Sequence, residues 1–75
     1  MACKLYAGLP TLTQKEANQV SAAWIPLQCS DLAEAIEASR RLDHALPLRN
    51  VPWIIECDDG QRLERREIRL RYSWP

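Results

Sequence analysis

Thiols, imidazoles and clustered carboxylates are where a short chain would do chemistry, and here they are sparse: Cys3, Cys29, Cys57 and one histidine, His44. A thiol nucleophile would need His44 beside Cys29 or Cys57, an acid to orient the ring and a donor for a developing oxyanion. No spacing encodes that arrangement. His44 is expected instead in the last turn of a helix, where partial positive charge suits the helix dipole. Zinc held by three single cysteines and His44 would lack the close ligand pair of structural zinc sites. The cysteines are odd in number and far apart, which fits no disulfide framework. They read as small buried hydrophobes in a reducing compartment.

Oxygen ligands add little. Asp58-Asp59-Gly60 reads as a turn, because a calcium loop needs further oxygen donors and a later Glu in a twelve-residue frame. Glu34 and Glu37 fall on a solvated helix face, with no burial to tune them as paired general acids. Gly8 and Gly60 are the only glycines, too few and too far apart to cradle a phosphate or dinucleotide. No catalytic residue, metal or cofactor is expected.

Arginine is the remaining chemistry. The stretch QRLERREIRLRY, residues 61–72, holds five arginines and two glutamates among four apolar residues. Ile68, Leu70, Tyr72 and Trp74 alternate on even positions, whereas Leu63 is odd. A strand therefore needs a bulge between Glu64 and Glu67 to keep them on one face. Past the bulge, Arg69 and Arg71 share the outer face with Arg62 and Ile54. Trp24 points to the same side of the sheet, provided that Ile25 and Leu27 face the main helix. Arginine beside an exposed aromatic could stack bases and bind phosphate. The plainer reading pairs Arg62 with Glu56 and Arg66 with nearby acids, leaving a stripe that keeps an edge strand in water. Ten basic and ten acidic residues cancel over the chain, so no global field favours nucleic acid or an anionic membrane.

The elements that must carry these residues follow from the pattern. CKLYAG, residues 3–8, is a strand closed by Gly8 and Pro10. Thr13 to Glu16 has capping-box spacing, with Leu12 and Ala17 placed to staple a short helix over 14–21; a loop is the alternative. AAWIPLQC, residues 22–29, is a strand whose Pro26 cannot donate to a ladder and so belongs at an edge or bulge. Ser30 or Asp31 caps a long helix with a stripe of Leu32, Ala35, Ile36, Ser39, Leu42 and Leu46, ended by Pro47. On its far side Glu37 and Arg41 form an i,i+4 pair. NVPWIIEC, residues 50–57, is a third strand with Val51, Trp53 and Ile55 on the core face. A three-residue Asp58-Asp59-Gly60 loop sets Ile55 opposite Leu63 and Glu56 opposite Arg62. Strands 22–29 and 50–57 should run parallel through a right-handed crossover.

The expectation is one α+β domain over residues 1–75: a mixed three- or four-stranded sheet on one main helix, ending in a β-hairpin. Seventy-five residues leave no room for a second domain. The longest apolar stretch, near Ala22 to Leu27, is too short to span a bilayer, and a cytoplasmic location follows by default. The functional expectation is a non-enzymatic module that engages a protein partner, or a second copy of itself, through an open sheet face. Its residues would be Trp24, Ile54, Arg62, Arg69 and Arg71. Nucleic-acid binding through the same arginines is the alternative. Whether that face is open to a partner, or the domain is two-sided and self-contained, turns on whether residues 14–21 cover it.

Overall fold

A computed structural model describes residues 1–73; Trp74, expected to continue the last strand, lies outside the described residues. Along the chain come β1 (Cys3–Gly8), α1 (Gln14–Val20), a single 3-10 turn (Ser21–Ala23), β2 (Leu27–Cys29), α2 (Leu32–His44), β3 (Val51–Cys57), β4 (Arg62–Glu64) and α3 (Arg65–Ser73). The class is α+β, with helices segregated from a four-stranded antiparallel sheet of order β2-β1-β3-β4. Among the described residues no helix is long and apolar enough to cross a membrane.

The sheet is not mixed as expected. β2 and β3 do run in the same direction, but β1 lies between them and pairs antiparallel with both. The hairpin has the anticipated register, Ile55 opposite Leu63 and Glu56 opposite Arg62. Gly60 closes its three-residue loop at φ 88°, and the Gly60 N–H donates to the Cys57 carbonyl at 2.9 Å.

Four further departures have local causes. β2 is reduced to three residues because Pro26 removes a ladder donor just before it. Ile25 is consequently 97% exposed, and of Ile25, Leu27 and Cys29 only Cys29 is buried. α2 stops at His44 with Ala45 extended at its C-cap, which leaves Leu46 exposed and off the stripe. The strand expected over residues 61–72 ends at Glu64, and the chain turns directly into α3 rather than through a bulge. A register shift lies instead between Tyr6 and Ala7, opposite Trp53 in β3. It places Trp53 with Val51 and Ile54 in one cluster, away from Ile55.

Two cores result. On one face Cys3, Leu5, Ile55, Cys57 and Leu63 meet Ala35 of α2 and Ile68 of α3, with Leu32, Ile36, Leu42 and Tyr72 at the margin. On the other face Ala17 of α1 packs with Val51, Trp53 and Ile54, flanked by Tyr6, Leu12 and Trp24. The capping box is complete: Thr13 Oγ1 accepts from the Glu16 N–H, and the Thr13 N–H donates to Glu16 Oε1. Leu12 and Ala17, at the two positions of a hydrophobic staple, belong to the same packed cluster. α1 therefore covers the sheet face that the sequence left in question. Cys3 and Cys57 form a disulfide, which overturns the reading of three free thiols; Cys29 alone is unpaired and buried.

Candidate partner-binding surface

α3 exists because Arg, Glu and Leu are strong helix formers and because Ile68 and Tyr72, four residues apart, bury one stripe against α2 and β3. Its first turn is held by side chains. The Glu64 N–H donates to Glu67 Oε1 at 3.2 Å, and the Arg65 N–H donates to Gln14 Oε1 of α1 at 3.0 Å. Asn18, one turn further along α1, donates to Glu64 Oε2, and Arg62 donates both to Glu64 and to Asn18 Oδ1. These bonds lock α1 over β4 and the start of α3.

Arg65 is the centre of the arrangement. Its guanidinium donates to both carboxylate oxygens of Asp43, at 3.0 and 3.4 Å, and to the Pro52 carbonyl at 3.0 Å. It also lies 5.4 Å from the centroid of the Trp53 ring. Tyr72 donates its hydroxyl to the same Asp43 carboxylate. Burial and the neighbouring Asp43 charge push the Tyr72 phenol above its ordinary pKa. Asp43, Arg65 and Tyr72 thus clamp α3 to α2 and to the top of β3. The Trp53 indole N–H is satisfied by the Leu9 carbonyl at 3.0 Å.

Beyond the clamp, Arg66, Arg69, Leu70 and Ser73 line the flank of α3 next to Arg65, at helical spacing. With Gln14, Trp53, Arg65 and two carboxylates, Glu64 and Glu67, they line an open groove of about 820 Å³ in which three guanidinium groups outnumber the acids. Leu70 is 51% exposed, and neither Arg66 nor Arg69 has an ion-pair partner among the described residues. The groove therefore offers two uncommitted guanidinium groups beside an apolar side chain.

The residues predicted to form one surface are dispersed. Ile54 is only 2% exposed and lies under α1. Trp24 is half-buried with its ring against Gly8, so the apolar patch expected of the pair does not exist. Arg62 is exposed but engaged with Glu64 and Asn18. Arg69 faces the groove, whereas Arg71 points to the α2 side, near Glu37 and Arg40. Two residues apart on a helix they cannot share a face, as they would on a strand. Gln14, Asp43, Arg65, Arg66 and Leu70 were missed as site residues. The signal was present in the spacing of Arg66, Leu70 and Ser73, which is helical.

His44 is exposed at the C-terminal end of α2, its ring edge-on to Tyr72 at 6.0 Å between centroids. Cys29 precedes the other end of this 13-residue helix. At ~1.5 Å per residue the two are separated by roughly the helix length, about 18 Å, so no thiol and imidazole meet. No protein-family model matches the chain, and neither a curated protein nor a solved structure matches it.

Proposed function

We propose that this domain is a non-enzymatic binding module and that its binding surface is the outer face of α3 rather than the sheet. The partner is a protein segment that presents carboxylates around one apolar side chain. The observation that carries this reading is the pairing of Arg66 and Arg69, without carboxylate partners among the described residues, with half-exposed Leu70 over a single groove. A guanidinium pair binds carboxylates by charge-assisted, bidentate hydrogen bonds, and Leu70 supplies the apolar contact that gives register. Because the whole chain is neutral, attraction is confined to this patch.

Nucleic acid is the second reading, since the same arginines suit phosphate. Among the described residues of the groove no exposed aromatic is offered for base stacking: Trp53 is 5% exposed and Arg65 lies over its ring. A cytoplasmic location is not carried into the proposal, because one of its premises was three unpaired cysteines.

The test is a titration of fluorescein-labelled peptide of alternating Glu and Leu, read by anisotropy at low salt, with a labelled oligothymidine in parallel. Arg66→Gln combined with Arg69→Gln should weaken the peptide at least tenfold, about 1.4 kcal/mol, while Arg41→Gln on the far side of α2 leaves it unchanged. Equal affinities for all three proteins would refute the site. Tighter binding of the oligonucleotide than of the peptide would replace the partner class.

A further inference from the structure

Cys3, Cys29 and Cys57 are distant in sequence but occupy one rung of the sheet. Cys3 of β1 is in register with Cys29 of β2 on one side and with Cys57 of β3 on the other. Registered residues of adjacent strands project to the same face, and all three sulfurs belong to the core cluster beneath α2. The disulfide joins Cys3 to Cys57, so the free thiol of Cys29 stands on the side of Cys3 opposite its bonded partner. Cys29, Cys3 and Cys57 are thus set in a row across three strands, with the residue that would be attacked between the attacking and the leaving one.

We propose that this rung is a site of intramolecular thiol–disulfide exchange, in which the bond to Cys3 passes between Cys57 and Cys29. The Cys29 thiolate attacks Cys3 Sγ, the Cys3–Cys57 bond breaks, and Cys57 leaves as thiolate and takes up the proton that Cys29 gave up. One disulfide is exchanged for another, so no oxidant or reductant is consumed.

The backbone permits both bonds. The Asp58 N–H donates to the Ala2 carbonyl at 2.9 Å, which marks Cys3 and Cys57 as a non-hydrogen-bonded pair, the close kind, and their Cα atoms, 3.9 Å apart, are nearer than in most disulfides. In an antiparallel strand the N–H and C=O of a residue point to the same neighbour, so those of Cys3 point to β2. Cys3 and Cys29 are then the wide, hydrogen-bonded pair, with Cα atoms ~5.5 Å apart. That separation is within the ~4.4–6.8 Å a disulfide bridges. Cys29 and Cys57 are two strands apart, roughly 9–10 Å, and cannot bond without leaving the sheet. Exchange in the folded protein is therefore restricted to two of the three possible disulfides, and Cys3 takes part in both. Its effect is to move the staple from the two central strands to the edge strand β2 and to free a thiol beside the Asp58 turn. Burial, with Glu34 and Asp31 nearby, pushes the Cys29 thiol above its ordinary pKa, so exchange is slow at neutral pH and accelerates with alkalinity.

The experiment holds the native, full-length oxidised protein at pH 9 and micromolar concentration, quenches with acid, alkylates free thiols with a maleimide and maps labels and cross-links by mass spectrometry. The expected result is label on Cys29 and, increasingly with time, on Cys57, at a rate independent of protein concentration, with no Cys29–Cys57 cross-link. In guanidinium chloride all three disulfides should appear. There the 26-residue separation of Cys3 and Cys29 (29 minus 3) against 54 for Cys3 and Cys57 favours the shorter loop roughly threefold. Label confined to Cys29 after prolonged incubation, or a Cys29–Cys57 cross-link in the native protein, overturns the proposal. Cys57→Ala gives an independent arm. With oxidised glutathione it should form Cys3–Cys29 while the circular dichroism stays native, and formation of mixed glutathione disulfides alone counts against the site.

Discussion

Gly8→Ala is expected to damage the smaller core by a calculable route. Gly8 ends β1 opposite Val51, and the Trp24 ring lies across it. A Cβ built there would stand 2.3 Å from Trp24 Cη2, 2.5 Å from Cζ2 and 3.0 Å from Cζ3. The indole is rigid, so relief requires the whole ring to leave the strand or β1 to move. Forcing an extra methyl into such a contact costs about 1–3 kcal/mol. Gly60 is the glycine with positive φ, so at Gly8 the backbone admits alanine and returns about 0.5–1 kcal/mol of chain entropy. The net loss is about 1–2 kcal/mol, or a Tm drop of roughly 4–16 °C for a domain of this size. Trp24→Ala should itself cost about 2 kcal/mol, near half the fully buried value, because the ring is half-exposed. In that background Gly8→Ala should become neutral or slightly stabilising. Urea unfolding followed by circular dichroism, which does not depend on tryptophan emission, measures the four members of the cycle. A Gly8→Ala cost that is the same with and without Trp24 would refute the argument.

Two further outcomes follow from the clamp and from titration. Asp43→Asn leaves the Arg65 guanidinium partly buried without a countercharge; the expected loss is about 2–4 kcal/mol, against about 1 kcal/mol for Tyr72→Phe, and equal urea midpoints for the two variants would contradict the assigned roles. The Cys29 thiol and the Tyr72 phenol are both raised above ordinary values of 9.0 and 10.0 in the fold, so the folded state holds their protons more tightly than the unfolded chain. That contribution is intact below pH 9 and is lost as pH rises through the folded values. Urea midpoints should fall between pH 9 and 11, less steeply in Cys29→Ser; a midpoint that rises over this range would reverse the assigned sign.

Much of the scaffold was legible because local chemistry and burial agreed. Thr13 with Glu16, Asp31 at the head of α2 and the Asp58-Asp59-Gly60 loop each act within a few residues, and the hairpin register followed from the loop alone. The failures came where one pattern supported two periods. Ile68, Leu70 and Tyr72 alternate as in a strand, yet Ile68 and Tyr72 also stand one helical turn apart, and Arg65 supplies a third member of that stripe. Choosing the strand placed Arg69 and Arg71 on one face, and the proposed surface moved with that choice. The cover over Ile54 was undecided for a different reason: whether α1 crosses the sheet depends on Asn18 and Gln14 reaching Glu64 and Arg65, about fifty residues away in sequence. The disulfide was hidden because sequence distance between cysteines carries no information on sheet register.

The order β2-β1-β3-β4 also bears on what happens at high concentration. Each outer strand exposes a ladder only three residues long. On one side Pro26 and the chain leading to it cut the ladder short; on the other the polypeptide coils into a helix immediately after Glu64. A protein with zero net charge lacks the electrostatic repulsion that keeps many small domains apart in solution. Here resistance to fibril growth is built into the geometry, since an incoming strand finds too few backbone groups to template a second sheet. Lengthening either ladder, for instance by Pro26→Thr, would trade that protection for β-pairing between molecules.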